Sequence, residues 1–438
     1  MEHFPVEVIG NILSRLGDAR DVVIASATCS KWREAYCKHL HTLSFNSNDW
    51  PVYRDLPTSD LEILITKTIF RTTGLEVLYI LMDAIEFSAS TFISWFMYTR
   101  EKLRRLFYNV RTTPSVNIVE IFGRLKLKTL VIAQNSISGV FERFPCLKCL
   151  SLSFVSISAL DLSLLIIGCR KIEALELVDL EIAISDAQVT VELTSPTLMS
   201  LYVEAINLYK FMLEADRIEC LHFKDCALED FEFFGRGTLK QLKTDDVSVL
   251  HLHIAESAEN LETVDIRNFT IMWPMFYKMI SRSSKLRRLR LWDMVLYGED
   301  KIVDLETIAV FFPTLTHLSL CHDLKDGVVH YSLQESSQLV NVTMLELGWT
   351  VINGFFSRWV EGMPRRCPNL KKLVIRGVIP EVKIHEDCQM LANFTSSIVE
   401  LMRKYIHLEV QFGWKSSFGS ILSCTGSIGT CMGTFYIM

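Results

Sequence analysis

The chain has 438 residues, of which 49% are hydrophobic and 22% charged, and its formal net charge is −6 at pH 7. This balance excludes a mainly disordered chain, because disorder requires low hydrophobicity and high charge. The net negative charge also argues against general binding of nucleic acids through bulk charge, although a local basic strip remains compatible with it.

The N-terminus lacks the uninterrupted apolar segment of a secretory signal. No run of residues reaches the ~18 apolar residues that a membrane-spanning helix needs. We therefore expect a soluble protein of the cytoplasm, the nucleus or both, whose twelve cysteines are reduced thiols.

Three short amphipathic helices are predicted in residues 1–40. Phe4-Pro5 opens the first helix and Gly17 ends it. Asp21 is expected to cap a second helix that begins at Val22, and residues 29–33 (CSKWR) lead into a third. Apolar residues of the first helix follow the i, i+3, i+4, i+7 spacing of one face: Ile9, Ile12, Leu13 and Leu16. A unit of this size buries little surface by itself. The residues alone are therefore also compatible with an N-terminal cap on a larger repeat array.

The order of these residues resembles the F-box, with F-P-x-E-V-I-x-x-I-L-x-x-L, an Asp-led helix and C-x-K-W-R, although Phe4 replaces the usual leucine. The resemblance covers about a tenth of the chain. It implies docking on the Skp-family adaptor of an SCF ubiquitin ligase and, through that adaptor, on a cullin. Carried over residue by residue, the implied adaptor contacts are Pro5, Ile9, Ile12, Leu13, Leu16, Val22 and Trp32.

The motif L-x-x-L-x-L, with apolar exchanges, recurs from Leu40 onward in about fourteen irregular copies, spaced roughly 20 to 35 residues apart. Residues 127–137 (LKTLVIAQNSI) match the full leucine-rich signature. Proline lies two residues before the first leucine of four copies, where it ends the preceding helix. These prolines are Pro145, Pro196, Pro313 and Pro368.

The pattern predicts an α/β fold in which a three-helix F-box at 1–40 precedes a leucine-rich-repeat solenoid at 41–412. Parallel strands would form the concave face of the solenoid and helices its outside. The position that usually holds asparagine is apolar in many copies, including Val155, Leu180 and Phe269, so the asparagine ladder is incomplete. The tail at 413–438 is rich in Gly and Ser, and we predict that it is disordered.

No sequence motif indicates catalysis, a metal or a cofactor. The chain lacks a phosphate loop, H-E-x-x-H, G-x-S-x-G and G-x-G-x-x-G. Cys146-x-x-Cys149 has no second cysteine pair, and His251 with His253 would supply only two ligands. We therefore predict a non-catalytic adaptor with no catalytic residue, no cofactor and no metal site.

Charged side chains of the later repeats are predicted to share the concave face, because alternate residues of a strand point to the same side. The run 286–292 (LRRLRLW) is the centre of this basic strip. Arginine and tryptophan are enriched at binding hot spots, which makes the strip a candidate target-binding surface. Its residues are Arg267, Arg288, Arg290, Trp292 and Arg376. The alternative is that these charges are simply solvated.

The resemblance and the repeats together predict the substrate-recognition subunit of an SCF-type (cullin-RING) E3 ubiquitin ligase. The F-box would bind the Skp-family adaptor, and the repeats would bind an unidentified protein target for ubiquitination. The alternative is a leucine-rich-repeat scaffold or ligand receptor that acts outside a ligase. Neither hypothesis includes a membrane or a nucleic acid as partner.

Overall fold

The computed structural model describes residues 4–47, 55–114, 116–123, 125–139, 143–182, 189–254, 258–271, 276, 280–292, 295–296, 302–304, 308–310, 312–321, 330–332, 338–379, 385–416, 421–426 and 436–437. The chain divides into two compact units, Met1–Ile218 and Glu219–Met438. The fold class is α/β with parallel strand pairing throughout most of both units, which confirms the predicted fold.

Three helices open the first unit: α1 Val6–Leu13, α2 Ala19–Ser26 and α3 Ser30–His39. The prediction that Asp21 caps the second helix was wrong. Asp18 is the cap, and its side chain accepts a hydrogen bond of 2.7 Å from the backbone nitrogen of Arg20. This start is earlier because Gly17 adopts a φ of +81°, which turns the chain directly into an extended Asp18.

The crossing of α1 and α3 depends on Gly10. A Cβ atom at this position would lie against the carbonyl oxygen of His39 and 2.5 Å from the Cβ of His39. Ser14, next to the end of α1, accepts a hydrogen bond of 3.0 Å from the backbone nitrogen of His41. The helices therefore join the first strand of the repeats through direct contacts.

Unit 1 continues as repeats of strand and return segment. Its strands are β1 Thr42–Asn46, β2 Val77–Ser88, β3 Arg105–Thr113, β4 Thr129–Ala133, β5 Ser136–Ile137, β6 Cys149–Ser153, β7 Ser156–Ile157, β8 Ala174–Val178, β9 Glu181–Ile182, β10 Thr190–Thr194, β11 Ser200–Glu204 and β12 Asn207–Glu214. Its further helices are α4 Thr58–Phe70, α5 Ala89–Thr99, α6 Ile118–Gly123 and α7 Ala159–Gly168. β1, β2, β3, β4, β6, β8 and β11 pair in parallel in that order, and β5, β7 and β9 form a separate small parallel sheet.

Unit 2 repeats the same arrangement of parallel strands. Its strands are β13 Cys220–Phe234, β14 Gln241–His253, β15 Thr263–Ile271, β16 Arg288–Trp292, β17 Val295–Leu296, β18 Ile302–Asp304, β19 His317–Cys321, β20 His330–Ser332, β21 Met344–Val351, β22 Lys372–Ile379, β23 Glu409–Ser416, β24 Ile421–Gly426 and β25 Tyr436–Ile437. Its helices are α8 Gly354–Arg366 and α9 His385–Lys404. β13, β14, β15, β16, β19, β21, β22 and β23 pair in parallel in that order.

The leucine positions of the motif form the core of each unit. In β16, Leu289 and Leu291 are fully buried, whereas the residues between them face the opposite side. We call that opposite side of the strands the open face. The alternation follows from strand geometry, since successive side chains point to opposite faces of a sheet.

Helices do not return the chain in every repeat, which differs from the prediction. The segment after Ala205 returns as β12, and the second halves of β13 and β14 do the same. Val247 and Val249 are buried while Ser248 and Leu250 are not, which is the two-residue period of a strand. In repeats of roughly 20 residues a strand spans the return path with fewer residues than a helix, because it rises ~3.3 Å per residue against ~1.5 Å.

Seven described repeats contain a left-handed residue, which follows the strand in four of them and interrupts β13, β14 and β15 in the other three. The φ values of Gln134, Phe154, Asp179, Ala205, Asp225, Asp246 and Asn268 lie between 41° and 55°. The next residue is buried in six of these repeats, where Val155, Leu180 and Phe269 take the place of the usual asparagine, whereas Asn135 is half-buried. An apolar ladder therefore replaces the asparagine ladder that the sequence already predicted to be incomplete.

The C-terminal part contains strands where the sequence predicted disorder. β23 extends to Ser416 and pairs with β22, and β24 pairs with β23 in antiparallel orientation. The remaining predicted tail, apart from 436–437, lies outside the described residues. The predicted boundaries of 1–40, 41–412 and 413–438 remain predictions.

Candidate adaptor and target interfaces

The N-terminal helices present several apolar side chains that are exposed in the described part of their unit. Phe4, Val8, Ile12 and Leu16 are spaced four residues apart and are 38% to 47% exposed. This spacing places them along one side of α1 and its flanking residues. We call these four residues the α1 stripe. On α2, Val23 and Ile24 are also exposed.

The structure separates the predicted adaptor contacts into two groups. Ile9, Leu13 and Val22 are fully buried and hold the three helices together. Ile12 and Leu16 are exposed, as is Pro5 at the start of α1, and Trp32 is half-buried. Sequence reasoning missed Phe4, Val8, Val23 and Ile24. The i, i+4 spacing from Phe4 to Leu16 could have identified the first two, since a second apolar stripe on a short helix needs a partner.

The predicted basic strip forms a charged cluster on the open face of unit 2. Strand register places Asp265 beside Arg290, Arg290 beside Ser319, and Ser319 beside Glu346. We call Asp265, Arg267, Arg290, Trp292, Ser319, Glu346 and Arg376 the Glu346 cluster. Parallel register brings together side chains from five strands that are distant in sequence.

Arg290 bridges the two carboxylates of this cluster. Its Nη1 lies 2.9 Å from Asp265 Oδ2, and its Nη2 lies 3.2 Å from Glu346 Oε2. Arg376 Nε donates to the other oxygen of Glu346 at 2.8 Å. Arg267 Nε lies 3.4 Å from Asp265 Oδ1. The cluster therefore contains two carboxylates and three guanidinium groups. The cluster is an ion-pair network rather than a strip of solvated arginines.

Glu346 is the buried centre of the cluster, with 2% of its surface exposed. Burial alone would raise the pKa of this carboxyl. The hydrogen bond from Ser319 Oγ, 2.9 Å long, and the charges of Arg290 and Arg376 outweigh burial and hold the pKa below its usual range. Glu346 is therefore ionised at neutral pH and fixes both arginines.

Trp292 packs against the guanidinium groups. The guanidinium carbons of Arg267 and Arg290 lie 5.1 Å and 4.9 Å from the ring centroid, within cation–π range. The indole nitrogen donates a hydrogen bond of 2.8 Å to Ser319 Oγ. A Cβ on Gly348 would lie 3.1 Å from this ring, so the glycine leaves room for it.

Arg288 lies apart from the other predicted target-binding residues. It begins β16, is exposed, and makes no ion pair with the described part of the chain. In register it adjoins His317, whose pKa is lowered by burial and by the charge of Arg288. The structure therefore brings Arg267, Arg290, Trp292 and Arg376 together and leaves Arg288 as the accessible cation beside them.

The comparisons with known proteins decide the family. The sequence profile of the F-box-like family matches residues 1–45. An F-box/LRR-repeat protein of Arabidopsis thaliana is 68% identical over 419 residues, which is 95% of this chain and 100% of the relative. This chain belongs to the F-box/LRR-repeat proteins. An F-box protein of the same plant is 27% identical over 135 residues, or 31% of each chain.

Family membership confirms the predicted resemblance and gives α1–α3 their name, the F-box. F-box domains in general bind Skp-family adaptors, and F-box/LRR-repeat proteins are an adaptor-type family. Within the described residues, no group of histidine, cysteine and acidic side chains is arranged to hold a metal ion. Cys146 and Cys149 are free thiols. None of the helices described here combines the length and apolarity needed to cross a bilayer.

Proposed function

We propose that this F-box/LRR-repeat protein is the substrate-recognition subunit of an SCF-type ubiquitin ligase. The F-box binds the Skp-family adaptor and, through it, the cullin, while the repeats bind the protein target. The chain itself carries no catalytic step and works in the cytoplasm, the nucleus or both. It raises the concentration of target lysines near the ubiquitin carrier.

The observation that carries this proposal is the α1 stripe on an F-box-like domain. Four large apolar side chains exposed on so short a segment are unfavourable in water and suit a protein interface. Burial in an interface contributes about 25 cal/mol per Å² of apolar area, before the costs of association. Val23 and Ile24 on α2 extend the apolar surface available to the adaptor.

Co-expression tests assembly directly. The full chain is co-expressed with a plant Skp-family adaptor, a cullin and its RING subunit, and complexes are separated by size-exclusion chromatography. We expect all four proteins to elute together. An Ile24→Asp variant should elute without the others, because it places a charge in the contact. If the wild-type chain elutes alone while the other three assemble, the protein acts outside a ligase.

In this proposal the target protein binds the open face of unit 2 around the Glu346 cluster. The cluster contains an aromatic ring, Trp292, and the guanidinium groups of Arg267 and Arg376. Ion pairs hold both guanidinium groups in place, which limits the entropy lost on binding. Arg288 adds an exposed charge at the end of β16. This arrangement suits a target segment that presents carboxylates.

A further inference from the structure

Two neighbouring repeats of unit 1 leave a gap between the edges of their strands. β2 and β3 stay paired as far as Ser88 with Thr113, whereas β3 and β4 pair only as far as Tyr108 with Ile132. Beyond that point, β5 begins a new sheet by pairing with β7. Among the described residues, β5 has no strand partner on its other side. The end of β3 and the outer edge of β5 are therefore not paired with each other, and Val116 lies with them at the gap.

A cavity of about 570 Å³ opens at this gap. Arg111 and Thr112 of β3 line one side, and the residues leading into β5, Gln134 and Asn135, line the other together with Ser136. The volume lies in the range of ordinary ligand sites. We call this cavity the β3–β5 cleft.

The backbone of both edges points into the cleft. Asn135 accepts a hydrogen bond of 2.9 Å from the Ser156 nitrogen, so its backbone faces β7. Successive residues of a strand direct their backbone groups to opposite sides, so the N–H and C=O of Ser136 face the cleft. In β3, Arg104 accepts from the Thr129 nitrogen at 3.1 Å on the β4 side, and the same alternation turns Thr112 towards the cleft. Unpaired edges of this kind accept an additional strand.

Side chains at the cleft indicate what kind of strand would fit. Phe154 is 55% exposed and lines the cleft, which leaves apolar surface open to a ligand. Arg111 is exposed and makes no ion pair with the described residues. Two carboxylates also line the cleft: Glu86, which accepts a hydrogen bond of 2.9 Å from Thr113, and Glu181. An apolar side chain against Phe154 and a carboxylate at Arg111 would satisfy both groups.

We propose that the β3–β5 cleft binds an extended peptide segment of a partner protein, which inserts as a strand between β3 and β5. Main-chain hydrogen bonds to Ser136 and Thr112 supply affinity, and contacts with Phe154 and Arg111 supply specificity, as in other cases of strand addition. The cleft lies among residues 86–181 and shares none of them with the F-box or the Glu346 cluster. The proposal therefore stands whether or not the chain acts in a ligase.

A peptide selection on the full chain tests this proposal. Phage-displayed random eight-residue peptides are selected on the wild-type protein, and the enriched peptides are synthesised with a fluorophore for anisotropy titrations. We expect sequences with apolar residues at alternate positions and a single acidic residue for Arg111, because Glu86 and Glu181 at the cleft would repel further carboxylates. Ser136→Pro removes the N–H that faces the cleft, and an edge strand tolerates proline when its N–H faces outward. This variant and Phe154→Ala should each weaken binding by about tenfold or more.

Two controls separate backbone recognition from other effects. Ser136→Ala keeps the N–H and should bind the peptides as the wild type does. Peptides N-methylated at alternate amides should lose binding to the wild-type protein, a result that does not depend on the folding of any variant. The proposal is wrong if no peptide is enriched, or if the enriched peptides bind Ser136→Pro and tolerate N-methylation without loss.

Discussion

Arg288 and Arg290 both lie on the open face of β16, but they differ in their contacts. Arg290 contacts Asp265 and Glu346, whereas Arg288 is exposed and unpaired within the described residues. The sequence shows both as alternate residues of one strand, so it predicts that they share a face. It could not predict that only one is neutralised, because the two carboxylates come from separate strands and meet Arg290 only through register.

Charge reversal should therefore affect the two positions differently. Arg290→Glu would place a third carboxylate beside two that are already largely buried, and we expect it to destabilise the protein by about 3–5 kcal/mol. Arg288→Glu should change stability by no more than about 0.5 kcal/mol. Urea unfolding followed by circular dichroism measures both. Equal stability of the two variants would contradict the ion-pair network.

Glu346 predicts a dependence of stability on pH. Its folded-state pKa is lower than the ordinary value of 4.5, so its contribution is fully present above pH 4.5 and is lost as pH falls through the folded-state pKa. Glu346→Gln should cost about 2–3 kcal/mol at pH 7. The difference from the wild type should shrink in unfolding titrations below pH 4.5. A difference that stays constant to pH 3 would show that Glu346 is not held ionised by its neighbours.

Within an element, the position of a residue in the repeat, rather than its type, decides whether its side chain is buried or exposed. Phe154 occupies the left-handed position after β6 and is exposed, whereas Phe269 occupies the following ladder position in its repeat and is 2% exposed. The ring of Phe269 lies 6.2 Å from that of Phe276 in an edge-to-face arrangement. The two phenylalanines therefore form a matched pair for mutation.

Phe269→Ala should lower the free energy of unfolding by about 3–5 kcal/mol, because it opens a cavity in the core. Phe154→Ala should leave it unchanged within about 0.5 kcal/mol. Thermal and urea unfolding of the full chain provide the comparison. A large loss with Phe154→Ala would show that this ring packs in the core, and it would also remove the basis for the β3–β5 cleft.

The sequence predicts the elements with different success. The leucine motif locates most strands of the parallel sheets, because the buried positions repeat within each copy. It does not reveal that β12 and the ends of β13 and β14 replace helices, since the motif specifies only the strand. The cap of α2 was misplaced because Asp18 and Asp21 are both good N-cap residues, and only the turn at Gly17 selects between them.

The molecule as a whole combines two surfaces with distinct physical character. The F-box exposes uncharged aliphatic and aromatic side chains, and the open face of unit 2 presents paired charges around a tryptophan. Sequence patterns predicted both regions, but they assigned Ile9, Leu13 and Val22 to the first surface although these residues form its core. One stripe of a short helix can be either core or interface, and only packing in three dimensions distinguishes them.

The most direct test of the central claim is the affinity of the full chain for a purified Skp-family adaptor, measured by titration calorimetry. The account predicts tight binding by the wild type and loss of binding by Ile12→Asp/Leu16→Asp, because both residues lie in the α1 stripe. Leu160→Asp/Ile167→Asp changes two apolar residues of α7 that are even more exposed than Ile12 and Leu16, and this variant should bind as the wild type does. Undiminished binding by Ile12→Asp/Leu16→Asp would contradict the account.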